Sequence, residues 1–404
     1  MAGNLLVAQS GGPTAVINAS LAGVVRTALD APYIGRVLGA VDGIRGVLDE
    51  ELVDLGKENP QTFDLLPQTP GAALGTSRIR LREEHFERVL SVLKVHDIRS
   101  ICFIGGNDSM DTAHKLGQLA GGSGYALQVI GVPKTVDNDL AGTDHCPGYG
   151  SAARFVAATT RDTGIDTWSG RLSTPVKIVE IMGRHAGWLT ASAALAREYA
   201  PTGAPHLIYL PERPMTVKAF LADVERVYRE RGYVVAALSE GVCDPAGELL
   251  GTSTACLDAF GHPQLGGVSA ILAQKVADEL GLKARFEKPD TMQRSSTALA
   301  SPIDRQEAFT VGREAVRALG KGVTGAMITL EREAGPEYTC RTGLVDLEKV
   351  AGVERKLPAE YLSPKGPDVT AAFLDYVRPL VGEPLPAVAF LQRFAVKKRL
   401  PPWE

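Results

Sequence analysis

An apolar run of strand length, followed by a segment whose apolar residues recur three and four apart, is the repeating theme of this 404-residue chain. No other feature narrows its fold so far, because βα units in series build a parallel sheet with helices over its faces. The first unit runs from a strand at Leu5 to Ala8 through Gln9-Ser10-Gly11-Gly12-Pro13-Thr14 into a helix over about Ala15 to Ala28. A second has a strand at Ile101 to Ile104, the turn Gly105-Gly106-Asn107-Asp108-Ser109 and a helix from about Met110 to Leu119. Further strands are expected at Gln128 to Val132, Val176 to Ile181, His206 to Leu210, Val234 to Leu238 and Ala284 to Glu287. Helices are expected over Ser151 to Asp162, Gly187 to Glu198, Thr216 to Arg231, Gly267 to Leu280 and Arg305 to Leu319. The Pro- and Gly-bearing stretch Leu362 to Leu385 and the terminal Phe394 to Glu404 read as a peripheral extension.

The length suits two domains of ~150 residues or somewhat more. Lys and Arg number 43 against 47 Asp and Glu, which lacks the basic excess that binding a polyanion by counterion release requires. The basic triplet Lys397 to Arg399 is read as solvated surface. Met1 to Ala8 has no basic flank and too short an apolar run for a signal peptide, and no segment reaches the ~18 apolar residues of a membrane span. The expectation is a cytoplasmic protein with neither nucleic-acid nor membrane partner. Five scattered cysteines, never spaced as Cys-x-x-Cys, make neither a disulfide framework nor a zinc site and are expected to be reduced and packed in or near the core.

Gly11-Gly12 and Gly105-Gly106 each stand between a strand end and a helix start, where backbone N–H groups and the helix dipole favour an anion. Either alone is as consistent with plain chain reversal. A denser cluster, Pro133-Lys134-Thr135-Val136-Asp137-Asn138-Asp139-Leu140, follows an apolar strand at the carboxyl end, where parallel sheets place their ligands. Two carboxylates beside an ammonium and a hydroxyl suit phosphoryl transfer: one carboxylate takes the proton of an attacking alcohol, the other holds magnesium, and the lysine neutralises charge. The competing reading is an Asx-rich turn with a solvated lysine. Glu180-Ile181-Met182-Gly183-Arg184-His185 ends another apolar strand; Arg184 could clamp a phosphate, while His185 reads as a turn residue. Gly75-Thr76-Ser77-Arg78, Ser239-Glu240-Gly241 and Met292-Gln293-Arg294 each set one charged side chain among small or polar residues.

Taken together and in this order, Ser10-Gly11-Gly12-Pro13 with Ile17-Asn18-Ala19, Gly106-Asn107-Asp108-Ser109, Pro133 to Asp139, Met182-Gly183-Arg184, Glu240 and Gln293-Arg294 resemble the phosphofructokinase family. The likeness covers roughly residues 4 to 350. It implies two Rossmann-like three-layer α/β/α halves with the active site in the cleft between them, and phosphoryl transfer to the 1-hydroxyl of fructose 6-phosphate. The expected halves are residues 1–147 plus about 294–349 on the donor side, and 148–293 plus about 350–404 on the sugar-phosphate side. By the resemblance Asp137 is the base, assisted by Lys134 and Arg184. Thr135, Val136, Met182, Gly183, Arg184, Glu240, Thr291 and Arg294 fall at the sugar phosphate, and Arg285 reaches a neighbouring subunit's site, which implies a homodimer or homotetramer. Gly12, Arg78, Asp108 and Lys134 fall at the donor, with Asn107 and Asp139 at its Mg²⁺.

Family members that use ATP have glycine where this chain has Asp108 and where it has Lys134; the pair found here is that of the branch using diphosphate. A carboxylate at Asp108 repels the α-phosphate of a nucleotide, whereas the ammonium of Lys134 suits a small, highly charged donor. The chain departs from the family at Asn107 (commonly aspartate), Thr291 (commonly histidine or tyrosine), Pro175 (an intersubunit arginine) and Ala22 (an effector-binding arginine). The last implies little or no response to nucleotide effectors. The leading expectation is a diphosphate-dependent transferase of glycolysis. An ATP-dependent kinase, a phosphotransferase acting on sedoheptulose 7-phosphate and a noncatalytic sugar-phosphate-binding subunit are the alternatives.

Overall fold

The computed structural model describes residues 3–77, 79, 81–257, 263–265 and 267–400, with 252–257 and 263–265 described by backbone alone. Thirteen strands are present among them: β1 (Gly3–Gln9), β2 (Ile34–Ala40), β3 (Leu52–Asp54), β4 (Ile98–Gly105), β5 (Gln128–Pro133), β6 (Val176–Ile181), β7 (Leu207–Tyr209), β8 (Val234–Ser239), β9 (Thr252–Leu257), β10 (Pro263–Leu265), β11 (Ala284–Glu287), β12 (Ala326–Arg332) and β13 (Cys340–Asp346). They form a seven-stranded sheet in the order β13-β12-β5-β4-β1-β2-β3, a four-stranded sheet in the order β11-β6-β8-β7, and the small β9-β10 ribbon. In the larger sheet β12, β5, β4, β1 and β2 run parallel, with β3 and β13 antiparallel at the edges. The smaller four-stranded sheet is parallel throughout.

Why β1 reads as an unbroken apolar run is visible in its packing. Leu5 and Val7 face the helices Ile17–Leu29 and Pro302–Gly320, while Leu6 and Ala8 join Val89, Val92 and Leu93 of the helix Phe86–Val95 and Met110 and Leu116 of the helix Asn107–Gly122. Successive side chains of a strand point to opposite faces, so a strand covered on both sides must be apolar at every position. The second sheet is covered in the same way. Val179 and Ile181 pack toward the helix Tyr149–Ser169, and Val176 and Ile178 toward the helices Val217–Arg231 and Val268–Leu280. Both sheets are therefore middle layers of α/β/α sandwiches, as the alternation of apolar periods implied. Local signals set the helix limits: Thr216 accepts the N–H of Ala219 to start Val217–Arg231, and Gly232, at φ 76°, ends it.

The larger sheet changes direction at β1. The chain leaves β1 for β2 and β3 on one side, then returns to lay β4 and β5 on the other. A crevice opens at the carboxyl ends where strand order reverses, and here the turns after β1 and β4 flank it, with Ser10 N–H donating to Ile104 O at 2.9 Å.

Three expectations change. The helix after β4 starts at Asn107 and not near Met110, with Gly106 at its cap, so Asn107 and Asp108 belong to its first turn. The region Gly187 to Glu198 is one α-helical turn, Trp188–Ala191, followed by 3₁₀ turns, Ser192–Glu198. The stretch Leu362 to Leu385 is not peripheral: it contains the helix Ala371–Val377, and Phe373, Tyr376, Val377, Leu380 and Leu385 are buried against the helix Tyr149–Ser169. Its prolines and glycines suggested a loop, but its aromatic and branched residues supply a face of the second core. Residues beyond 387 are mostly exposed. Cys102 and Cys146 are buried and Cys243 and Cys340 half-buried, all as free thiols; the side chain of Cys256 is outside the described residues. Among the described residues no helix is long and apolar enough to cross a membrane.

The helix Pro302–Gly320 returns from the second half to pack on the helix Ile17–Leu29 through paired glycines. A Cβ on Gly312 would overlap Ser20 O, and one on Gly23 would overlap Phe309 O. Gly312→Ala should therefore force the helices apart and lower the apparent Tm, at a cost of about 1–3 kcal/mol. Gly121→Ala, where nothing lies within 4 Å of the added carbon, should hold or raise it. Thermal unfolding followed by circular dichroism compares the two.

Candidate active site

The crevice is a cavity of about 600 Å³ whose walls include Gly11, Gly12, Asn107, Asp108, Lys134, Thr135, Asp137 and Asp139, together with His185 and Glu354 from the far side. The floor is set by strand pairing. Pro133 of β5 is in register with Gly105 of β4, and Lys134 N–H donates to Gly105 O at 3.0 Å, so the polar loop leaves β5 directly beside the second glycine turn. The ammonium of Lys134 then reaches across to the first turn and donates to Gly12 O at 2.8 Å. Only 4% of Lys134 is exposed. The solvated-lysine reading is thereby ruled out: this is a buried cation held at the junction of two turns.

Thr135 and Val136 are anchors of that loop. Thr135 pairs with Gly148 as an isolated parallel bridge, and its Oγ1 accepts the N–H of Asp137 at 3.1 Å. The Val136 side chain turns into the core of the second half, and Val136 does not line the cavity. Asp137 and Asp139 face the opening, one on either side of Asn138, whose φ of 57° lies in the left-handed region. Burial, with Asp139 and Glu240 as neighbouring carboxylates, pushes Asp137 up to about 7, against the pull of Lys134 and Arg294. Asp139 is raised by burial and by Glu354, opposed by hydrogen bonds that include Thr135 and Asn107.

Asn107 donates from Nδ2 to Asp139 Oδ2 at 2.9 Å, and its Oδ1 is buried with no hydrogen-bond partner. A buried carbonyl oxygen without a donor is costly unless something electropositive meets it. With the neighbouring carboxylate of Asp139, that oxygen offers oxygen donors of the kind hard divalent cations take. Asp108 is exposed in the first helical turn, where its charge also suits the helix dipole. Arg78 lies outside the described residues.

The second wall is built at the ends of β6 and β8, which pair Ile181 with Ser239. Gly183 sits at φ 127°; its N–H donates to Glu240 Oε1 at 3.3 Å and its carbonyl accepts from Ser239 Oγ. Met182 N–H donates to Oε1 of the buried Gln293 at 3.1 Å, which draws the short helix Met292–Ser295 under the β6 turn. Arg294 on that helix reaches the first glycine turn: a Cβ on Gly12 would overlap its Nη1. Glycine is needed there for this approach. Glu240 is raised by burial, against the N–H of Gly183. Arg184 is half-buried at the same turn.

The expected donor residues Gly12, Asp108 and Lys134 line the cavity, whereas of the turn after β6 only His185 does; Val136, Met182, Gly183, Arg184, Glu240 and Arg294 lie behind or beside the lining. Two further expected residues stand apart from both walls, Arg285 exposed on β11, the edge of the second sheet, and Thr291 exposed. His185 is exposed and its Nδ1 lies 2.8 Å from Glu354 Oε1, in keeping with a turn residue. Several residues that shape the site were not singled out from the sequence. Asn138 donates from Nδ2 to Tyr376 OH and accepts from Cys146 N–H, at 2.8 and 2.9 Å. Glu212 accepts the N–H groups of Gly187 and Leu357 on one oxygen, at 2.8 and 2.9 Å. An asparagine between two aspartates was the available sign of a left-handed position; the partners of Glu212 left none.

With the geometry in place, comparison adds that residues 4–319 match the family described as Phosphofructokinase. The pyrophosphate--fructose 6-phosphate 1-phosphotransferase of Xanthomonas campestris is 44% identical, covering 100% of this chain and 99% of its own. That of Rhodospirillum rubrum is 39% identical, over 98% and 99%. A solved structure of the pyrophosphate-dependent phosphofructokinase of Marinobacter aquaeolei superposes with a TM-score of 0.86, at 38% identity over 98% of each chain.

The raised carboxyl of Asp137 has a consequence for stability. Its unfolded value is near ~3.9, so from there to about 7 the folded chain holds the proton more tightly, and stability falls as pH rises through that window. Asp137→Asn removes the charge that burial opposes. The variant's apparent Tm should exceed the parent's at pH 8, by an increment worth ~1–3 kcal/mol, and should not exceed it at pH 4.5, read in metal- and phosphate-free buffer.

Proposed function

Because the chain belongs to the phosphofructokinase family, we propose that it transfers a phosphoryl group from diphosphate to the 1-hydroxyl of fructose 6-phosphate, giving fructose 1,6-bisphosphate and phosphate. The observation that carries the donor is the buried ammonium of Lys134 on Gly12 O, a fixed positive charge between two glycine turns. Diphosphate lacks a nucleoside to contribute contacts, so its binding depends on charge neutralisation at such a point. Asp108, in the first helical turn at the same rim, disfavours the extra phosphate and nucleoside of ATP. The names of the full-length relatives support the same choice.

In this reading Asp137 is the base. A carboxyl held at about 7 is ionised in a useful fraction near neutrality, yet basic enough to take a proton. It removes the proton of the 1-hydroxyl as that oxygen attacks phosphorus; the bridging P–O bond breaks and its electron pair leaves with phosphate. Lys134 and Arg184 oppose the charge that develops on the transferred and leaving groups. Gly12 gives its backbone to the donor. Met182, Gly183, Glu240 and Arg294 hold the sugar phosphate, and the backbone of Thr135 and Val136 sets the loop between the two substrates. Asn107 and Asp139 would hold a divalent cation, taken as Mg²⁺, which supplies charge neutralisation to the diphosphate when bound.

Arg285 and Thr291 lie away from this cavity, and Arg285 shares its exposed sheet edge with Phe286, 48% exposed. We place Arg285 in the sugar-phosphate site of a second subunit, so that the active species is a homodimer or homotetramer. A glycolytic role in the cytoplasm, without nucleotide control, belongs to the same proposal.

The parent enzyme should turn over fructose 6-phosphate with a kcat/KM for diphosphate well above that for ATP; an equal or higher value with ATP would sink the donor assignment. Asp137→Asn should lower kcat by about 10²–10⁴-fold with little change in KM. Lys134→Met should raise the diphosphate KM and lower kcat together while moving the sugar KM far less. Coupled steady-state assays with each substrate varied read all three.

A further inference from the structure

We propose that Arg355 is a positioning residue for phosphoryl transfer, holding the Asp137 to Asp139 loop at the distance from the sugar-binding wall that the reaction needs. The inference rests on the reading of Asp137 as the base. Arg355 lies outside residues 4–319, and none of the sequence motifs contains it.

Its guanidinium makes four hydrogen bonds to three carbonyl oxygens of one loop. Nε and Nη2 donate to Asn138 O at 3.2 and 2.8 Å, and Nη1 donates to Thr143 O at 2.7 Å and Asp144 O at 2.5 Å. The Arg355 N–H adds a bond to Asp139 O at 2.7 Å, and the neighbouring Glu354 bridges to Leu140. The residue so clamped, Asn138, stands between the two carboxylates with a positive φ, a conformation that persists in a non-glycine residue when its surroundings enforce it. A second hold comes from Tyr376, whose OH accepts from Asn138 Nδ2 and donates to Asp144 O, each at 2.8 Å.

The other side of Arg355 touches the sugar wall. Its guanidinium lies 4.5 Å from the ring centre of Trp188, and its carbonyl accepts from Trp188 Nε1 at 3.1 Å. Trp188 follows Arg184 closely on the segment that leaves β6, and Leu357 and Gly187 share one oxygen of Glu212. One side chain therefore spans from the base loop to the segment bearing the sugar-phosphate arginine. Only a planar fork with several donors can do this; a lysine has a single ammonium and cannot meet Asn138 O and the Thr143–Asp144 pair together. None of the Arg355 side-chain bonds involves Gly12 or Lys134, so its replacement leaves the bond between those two donor residues in place.

Misplacing a reacting group by about 1 Å costs on the order of 10²-fold in rate, so removing the clamp should act on kcat. In steady-state assays of the full chain, Arg355→Lys should lower kcat at least tenfold while the diphosphate KM stays within about threefold. Arg355→Ala should lower kcat about a hundredfold, and millimolar ethylguanidinium should restore at least tenfold of that, saturably, without effect on Asp137→Asn. A merely structural role gives no saturable rescue, and at molar concentration guanidinium compounds only weaken folded proteins. A kcat within twofold of the parent for Arg355→Lys, or a folded Arg355→Ala that ethylguanidinium does not rescue, overturns the proposal. If Arg355→Ala does not accumulate folded, the kcat-against-KM split of Arg355→Lys decides. A parent inactive with diphosphate and fructose 6-phosphate would overturn the functional reading, and this proposal with it; an active parent beside an unimpaired Arg355→Lys would overturn this proposal alone.

Discussion

A buried ammonium needs an acceptor, and Lys134 finds one in Gly12 O, 2.8 Å away across the mouth of the crevice. That bond joins the loop after β5 to the turn after β1, over the turn after β4 between them. It can form because strand order reverses at β1, which brings two glycine turns side by side. The carboxylates follow from it: Asp137 and Asp139 leave the same loop within reach of that charge, and the carboxyl of Asp137 settles near 7 and no higher partly because Lys134 and Arg294 oppose its burial and its acidic neighbours.

The second wall obeys the same economy of short range. Ile181 and Ser239 are in register, so the turns after β6 and β8 touch, and Glu240 can take the N–H of Gly183. Gln293 fixes the helix that carries Arg294, and Arg294 crosses to Gly12. Each wall is thus knit by short contacts within its own sheet's carboxyl ends, and Arg294 is the side chain that crosses from one to the other.

The architecture was legible because burial on both faces of a parallel sheet writes unbroken apolar runs such as Leu5 to Ala8, and because the turns that follow need glycine. The donor side was legible for the same reason, since Lys134, Asp137 and Asp139 lie within one short loop. The helix start at Asn107 was missed by three residues because Gly106 caps it without a side chain to announce the cap. The burial of Phe373 and Tyr376 was hidden behind the prolines around them. Arg355 could not have been found from the chain alone: its partners are carbonyl oxygens more than two hundred residues away, and a carbonyl carries no sequence signature. Arg285 and Thr291 entered only through resemblance, and a single chain leaves them off the cavity.

The return of the helix Pro302–Gly320 and of β12 to the first sheet bears on how the protein is made. β5 pairs on its outer side with β12, and the first glycine-bearing helix packs on a second that is translated long after it. During synthesis the nascent first sheet therefore presents β5 as an open edge, and leaves the face of Ile17–Leu29 bare, until Ala326 has left the ribosome. At ~5–20 residues per second that interval is on the order of 10 s or more, and an uncovered parallel edge is a template for wrong pairing. The intervening strands β6 to β11 pair only with one another and can form during the wait, yet their core is closed only once Phe373, Tyr376 and Val377 arrive, which follow β12 along the chain, so the two halves are completed together at the end of synthesis.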